Sequence, residues 1–183
     1  MLPFNLYPPK IDQFSLPQLP PPPTFPKLSP RLTDEQQYKF SQADVLNLNK
    51  GQPHLLFPAL TQQSITHLTR CFSDECYLTK FQFLDAEHFL SRIKKVYNNE
   101  RQPFQLENLI SSANLLGLNQ NIQVLSSLYE KYERNDSLDF NGVTAIFCFL
   151  RLSQRLLEKF DKQNKGYVNL DLKELMNLCF WMI

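Results

Sequence analysis

The chain has 183 residues, of which 43% are apolar, and this is enough for one domain with a real hydrophobic core. Its 19 basic and 18 acidic residues give a net charge of +1 with no block of like charge, which argues against nucleic acid or an anionic membrane as a partner. The longest apolar runs, Ala145 to Leu150 and Leu178 to Ile183, are far shorter than the roughly 20 residues of a membrane span, so we expect no integral membrane protein.

Residues 1–31 are predicted to form an extended arm. Ten of the thirteen prolines lie between Pro3 and Pro30, and the run from Pro20 to Pro23 is incompatible with a helix or a central strand. The first residues also lack the basic and unbroken apolar regions of a signal peptide. Apolar side chains interrupt the prolines and suit a groove. The predicted arm anchors are Phe4, Tyr7, Phe14, Leu16, Leu19 and Phe25. The alternative is a disordered tail, which is common among proline-rich termini.

Residues 32–183 are predicted to form an almost wholly helical domain. Proline and glycine become scarce, and apolar residues recur at spacings of three and four. The pattern predicts helices over residues 33–48, 59–72, 83–97, 105–116, 119–132, 140–160 and 170–182. Thr33 and Gln36 have the spacing of a capping box. Asn119 is a predicted N-cap, and Gly117 is placed to end a helix in the left-handed conformation.

The segment between the last two predicted helices has the skeleton of an EF-hand calcium loop. Gly166 stands at the sixth place, where such a loop turns sharply. The vestigial ligand positions are Asp161, Gln163, Lys165, Tyr167 and Asn169. Only the first of these carries a carboxylate, and Leu172 replaces the bidentate glutamate of the twelfth place. Because calcium requires roughly six to eight oxygen ligands, we predict no metal cofactor and at most weak calcium binding.

Four further loops show the same layout in more eroded form. The loop after Phe40 keeps only Asp44 and Asn49 as plausible oxygen ligands. Residues 72–81 have two acids, no glycine and Leu78 in their middle. Residues 97–104 place Pro103 near the glycine position, where it cannot adopt a positive φ. Residues 132–140 are too short for a twelve-residue loop and have Leu138 as the apolar bridging residue.

Five helix–loop–helix units follow one another in this body, and two of their helices are shared. The helix over 83–97 belongs to the second and third units, and the helix over 140–160 belongs to the fourth and fifth. This arrangement resembles the penta-EF-hand family. The resemblance is strongest from Ser126 to Ile183, and between Thr33 and Gly117 it rests on spacing and helix order. It implies an all-α fold of tandem EF-hand units with degenerate loops, behind an extended proline-rich arm.

The resemblance also implies a homodimer or heterodimer, in which the fifth unit docks on the fifth unit of a second subunit. The last predicted helix agrees, because it is apolar nearly all round and such a helix must be covered on more than one face. The predicted interface residues are Leu175, Met176, Leu178, Cys179, Phe180, Trp181, Met182 and Ile183. The alternative is that this helix fills the core of its own chain.

No arrangement in the sequence is typical of an active site. His67 and Cys71 are four residues apart, but no second ligand pair accompanies them, so zinc binding has little support. A catalytic pair of His67 with Cys71 or Cys76 lacks the electropositive context that activates a thiol. The cysteines, with Cys148 and Cys179, are predicted to be small buried residues in a reducing compartment. Phe147, Phe149, Phe160 and Phe180 are predicted to be core residues.

The sequence therefore predicts a non-enzymatic structural or adaptor subunit. It would dimerise through its fifth unit, be anchored in a larger protein assembly by its arm, and be largely independent of calcium. We expect a cytoplasmic location, including cytoskeletal or ciliary assemblies. The alternatives are a calcium-regulated adaptor and the regulatory small subunit of a calpain-like protease.

Overall fold

The computed structural model describes residues 32–44, 50–118, 120–161, 165, 169–172 and 174–176. The predicted arm and all six of its anchors lie outside the described residues. So do Gln163, Tyr167 and the interface residues from Leu178 to Ile183.

The described chain is mostly helical, as the sequence predicts. The helices are α1 (Asp34–Ala43), α2 (Pro53–Leu56), α3 (Gln62–Phe72), α4 (Lys80–Asn99), α5 (Leu106–Leu116), α6 (Ile122–Tyr132) and α7 (Phe140–Phe160). Leu172 and residues 174–176 are helical as well. The strands β1 (Lys50–Gly51) and β2 (Leu78–Thr79) form an antiparallel pair. Within the described parts, no helix is long and apolar enough to cross a membrane.

Four predicted helix ends are confirmed in detail. Thr33 and Gln36 form the reciprocal capping box at the start of α1. Gly117 ends α5 with φ 72°, a conformation that glycine adopts without the steric cost of a side chain. The prediction for α7 is correct at both ends, and the Asp139 side chain caps it by accepting a hydrogen bond of 2.7 Å from the Gly142 backbone N–H.

Other helix boundaries differ from the prediction, because capping hydrogen bonds and a β-bridge set where these helices begin and end. The predicted first helix over 33–48 is too long, since α1 ends at Ala43 and Asp44 is extended and bridged to Gly51. The start predicted at 83 is wrong because Thr79 and Gln82 form a capping box that begins α4 at Lys80. Both residues of that box were visible in the sequence as a Thr-x-x-Gln pattern.

The remaining differences concern α2, α3 and α6. The short helix α2 was not predicted, although Pro53 stands at its first turn, where proline is favoured. The helix predicted to start at 59 begins at Gln62, because Thr61 caps it. The predicted cap Asn119 lies outside the described residues, and Asn121 caps α6 instead, accepting from the Gln123 backbone N–H at 2.8 Å.

The core is organised around α7, which packs most extensively against α3 and also against α4 and α6. Phe147 is fully buried there, and Phe149 and Phe160 are partly buried against the same core, as predicted. Phe180 lies outside the described residues. The largest buried side chains of the core, contributed by all parts of the described body, are Phe40, Phe72, Phe83, Phe104 and Phe147. One hydrophobic core therefore joins the described helices.

Candidate interaction site

The loops between the helices are the part of the structure that bears on function. We number them in chain order: loop 1 (residues 44–52), loop 2 (73–79), loop 3 (100–105), loop 4 (133–139) and loop 5 (161–171). The helix α4 leads from loop 2 to loop 3, and α7 leads from loop 4 to loop 5.

Loops 1 and 2 are joined through β1 and β2. Gly51 pairs with Leu78 in antiparallel register, and the Leu78 side chain is fully buried. A Cβ atom at position 51 would lie 2.8 Å from Leu56 Cδ1 and 3.0 Å from Phe40 Cε2, so any larger residue would have to displace the Leu56 side chain. The Lys50 backbone N–H donates to Asp44 Oδ1 at 3.1 Å, and this bond closes loop 1.

Loops 3 and 4 are joined by two hydrogen bonds. The Leu138 backbone N–H donates to the Phe104 carbonyl oxygen at 2.9 Å, and the Phe104 backbone N–H donates to Ser137 Oγ at 3.1 Å. Both Leu138 and Phe104 are buried. The predicted bridging residue Leu138 thus lies where loop 4 meets loop 3, while its partner Phe104 was not identified from the sequence.

Loop 4 turns without a glycine. Asn135 and Asp136 both have positive φ, at 54° and 58°, and the flanking Arg134 and Ser137 exchange backbone hydrogen bonds of 2.8 and 3.3 Å. This is the geometry of a tight hairpin turn, in which Asn and Asp tolerate left-handed φ angles. The missing glycine is therefore replaced by an Asn-Asp pair.

Loop 5 is described only in part. The Lys165 backbone N–H donates to Asp161 Oδ1 at 2.9 Å, so the first and fifth places of the vestigial loop are joined. Lys165 and Asn169 are exposed, and Asp161 is buried. In the described part of loop 5, no backbone hydrogen bond joins it to another loop, in contrast to the two loop pairs above.

The final helix begins immediately after loop 5. Asp171 and Glu174 cap it reciprocally, with hydrogen bonds of 3.0 and 2.8 Å between each backbone N–H and the other carboxylate. The Asp-x-x-Glu pattern is visible in the sequence, and it places the first residue of this helix at Leu172, two residues after the predicted start at residue 170. Leu172, Leu175 and Met176 are 72%, 48% and 49% exposed, so these apolar side chains are not covered by the described chain.

The described residues offer little metal chemistry. Among them, no three His, Cys, Asp or Glu side chains lie close enough together to hold a metal ion. Lys165 places a positive charge at the fifth position of loop 5, where an EF-hand needs an oxygen ligand. The predicted ligand positions that are described, Asp161, Lys165 and Asn169, therefore include only one carboxylate.

The cysteines divide into buried and exposed residues. Cys71 and Cys148 are buried between α3 and α7, and the Cys71 thiol donates to the Cys148 carbonyl oxygen at 3.1 Å. Burial raises the pKa of the Cys148 thiol well above its ordinary value. Cys76 is exposed in loop 2, so the expectation that it is buried was wrong. Cys179 lies outside the described residues.

Arg155 was not singled out in the sequence, yet it is one of the largest fully buried side chains. It reaches from α7 to the end of α3, where Nη1 donates to the Arg70 carbonyl oxygen at 2.6 Å. Nη2 lies 3.6 Å from Asp74 Oδ1 in loop 2. Burial lowers the pKa of the Arg155 guanidinium, and the Asp74 carboxylate opposes that shift. Arg155 therefore ties α7 to the second helix–loop–helix unit.

Comparison with known proteins adds no identification. The chain matches no protein-family model, and the search of curated proteins finds no match.

Proposed function

We propose that this protein is a non-enzymatic structural or adaptor subunit of the penta-EF-hand type. It dimerises through its fifth helix–loop–helix unit, is held in a larger protein assembly by its proline-rich arm, and works largely without calcium. The proposal places it in a cytoplasmic, cytoskeletal or ciliary assembly.

The pairing of the loops is the observation that carries this proposal. Loop 1 pairs with loop 2, and loop 3 is hydrogen-bonded to loop 4. The resemblance implies that EF-hand units pair through their loops, so that after two such pairs a fifth unit would remain to dock on a second subunit. A second subunit would supply that partner, and closed two-fold symmetry makes a dimer the simplest solution.

The apolar side chains at the start of the final helix support the same proposal. Leu172, Leu175 and Met176 are each about half exposed or more. Full burial of one such side chain is worth roughly 1.5–3 kcal/mol, so covering several of them would contribute substantially to association. The sequence continues with six further apolar residues to Ile183, which would enlarge the same surface.

Independence from calcium is supported by how the loops are closed. Loop 1 is closed by the Asp44 carboxylate and the Lys50 backbone N–H, and loop 4 is closed by a hairpin turn at Asn135 and Asp136. These contacts lie within the protein, so neither loop needs a cation to hold its shape.

The dimer is tested with Trp181, the largest side chain of the last helix predicted from the sequence. Trp181→Ala should weaken association by about 30-fold, which corresponds to about 2 kcal/mol, if the indole lies at the centre of the interface. Analytical ultracentrifugation over a concentration series measures this change. Leu115→Ala is the matched control, because Leu115 is 68% exposed on α5, outside the fifth unit, and should leave association unchanged. A wild-type chain that stays a folded monomer at high concentration without a partner would disprove the proposal.

A further inference from the structure

A groove lies between α1 and α4. Its volume is about 880 Å³, within the range of roughly 300–1,000 Å³ that is usual for ligand pockets. The floor is apolar and includes Leu60, Leu84, Leu90 and Phe140, all of them only partly buried by the described chain. This groove lies on a different part of the body from loop 5, and the dimer proposal does not use it.

Two of the charged groups at the rim of the groove, Lys39 and Glu87, form an ion pair with each other. Glu87 on α4 accepts a hydrogen bond from the Gln36 side chain. It also forms an ion pair with Lys39, whose Nζ lies 3.5 Å from Glu87 Oε1. The same Lys39 ammonium lies 5.4 Å from the centroid of the Phe57 ring. Because the exposed lining of the groove is mainly apolar, an uncharged and apolar segment suits it better than a charged one.

The arm leaves the body at the edge of this groove. Thr33, the N-cap of α1, lines the groove, and its ψ of 161° shows that the chain is extended as it enters the helix. Leu32, the residue before it, is partly buried against the core. The 31 residues that precede Leu32 are therefore tethered beside the groove, with their attachment point fixed.

The composition of the arm matches the groove. Residues 13–26 carry no charged side chain and include Phe14, Leu16, Leu19 and Phe25 among their prolines. Proline-rich segments bind grooves lined by aromatic side chains, because their extended conformation is largely formed before binding. Phe57 and Phe140 supply the aromatic lining here.

The tether makes binding within one chain favourable. Phe25 is eight residues before Thr33, so its reach is at most about 26–29 Å from the groove edge. A short linker of this kind gives an effective concentration in the millimolar range, so even a weak contact would be occupied. Proline also lowers the conformational entropy that is lost when the segment becomes ordered.

We propose that the arm of this protein, through residues 13–26, occupies the groove between α1 and α4 of its own chain. The arm then covers the apolar floor, and an assembly that binds the arm must first draw it out of the groove. This inference goes beyond the proposed dimer and does not depend on the fifth unit.

The proposal is tested in the full-length chain by photo-crosslinking. A benzophenone amino acid replaces Phe25, and after illumination the cross-linked peptides are identified by mass spectrometry. Mixing isotopically light and heavy chains distinguishes a cross-link within one chain from a cross-link between two chains. We expect cross-links within one chain to peptides that contain residues 57–60 or 84–94.

Charged variants of the groove provide the control. Ser91→Arg and Ala59→Arg each place a charge in the groove at an exposed position. Each should lower the yield of this cross-link about tenfold, because an apolar segment cannot pair with the charge. Leu115→Arg is equally exposed but outside the groove and should leave the yield unchanged. Circular dichroism confirms that all three variants are folded. Cross-links scattered over the surface, cross-links between light and heavy chains, or equal yields in all variants would overturn the proposal.

Discussion

Arg155 shows how one buried charge holds two units of this protein together. Its side chain is 1% exposed, its Nη1 donates to the Arg70 carbonyl oxygen near the end of α3, and its Nη2 forms an ion pair with the Asp74 carboxylate in loop 2. Removing a hydrogen bond to a buried charged group lowers the free energy of unfolding more than removing one between two neutral groups, because the protein interior solvates charges poorly. The side chain of Asp74 is 45% exposed, so the ion pair itself is screened by solvent and the carbonyl contact matters more.

Replacing this arginine should therefore destabilise the fold. Arg155→Met keeps the apolar length of the side chain but removes the donor to Arg70, and we expect it to lower the free energy of unfolding by about 1.5–3 kcal/mol. Denaturant unfolding followed by circular dichroism measures the change. Arg151→Met is the matched control. Arg151 lies one turn away on α7, and its Nη1 donates to the side chain of its neighbour Gln154. Its replacement should lower the free energy of unfolding by less than about 1 kcal/mol. Equal losses in the two variants would contradict the role assigned to Arg155.

At the scale of the element, local patterns predicted most of the helices, and the differences came from local caps that were not recognised as well as from contacts between distant residues. The capping boxes at Thr33 and Thr79 lie within four residues of sequence, so they can be read from the sequence, although only the first was. The pairing of Gly51 with Leu78 joins residues far apart in the chain, and periodicity carries no information about it. Arg155 was missed for the same reason, since a helix pattern does not show which charged side chain is buried.

The loops lead to a prediction about calcium. Their closure by internal hydrogen bonds, together with Lys165 and a single carboxylate in the described part of loop 5, should leave calcium affinity weaker than about 1 mM. Isothermal titration calorimetry at physiological ionic strength checks this expectation. Asp161→Asn is the control and should give the same heats as the wild type, because no site depends on that carboxylate. A micromolar isotherm that the variant abolishes would instead favour a calcium-regulated adaptor.

At the scale of the whole molecule, the described residues form one buried apolar core. Every residue of the buried cluster lies between Phe40 and Leu156, and Leu32 is the first residue that packs against it. The described helices thus enclose their own apolar side chains. Under the two proposals made above, the arm acts at surfaces outside this core.

The last prediction follows from this separation. Deleting residues 1–31 should leave the body folded, with an unchanged helical circular dichroism signal per residue of the body, because the core of residues 40–156 remains intact. The truncated protein should also be lost from its assembly, which co-purification from cells measures. A full-length variant with Phe4, Tyr7, Phe14, Leu16, Leu19 and Phe25 all replaced by serine keeps the prolines and the length of the arm. It should be released as well if those side chains supply the affinity. Full co-purification of the truncated protein would mean that the arm is a passive tail, and unfolding of the body would mean that the arm belongs to the core.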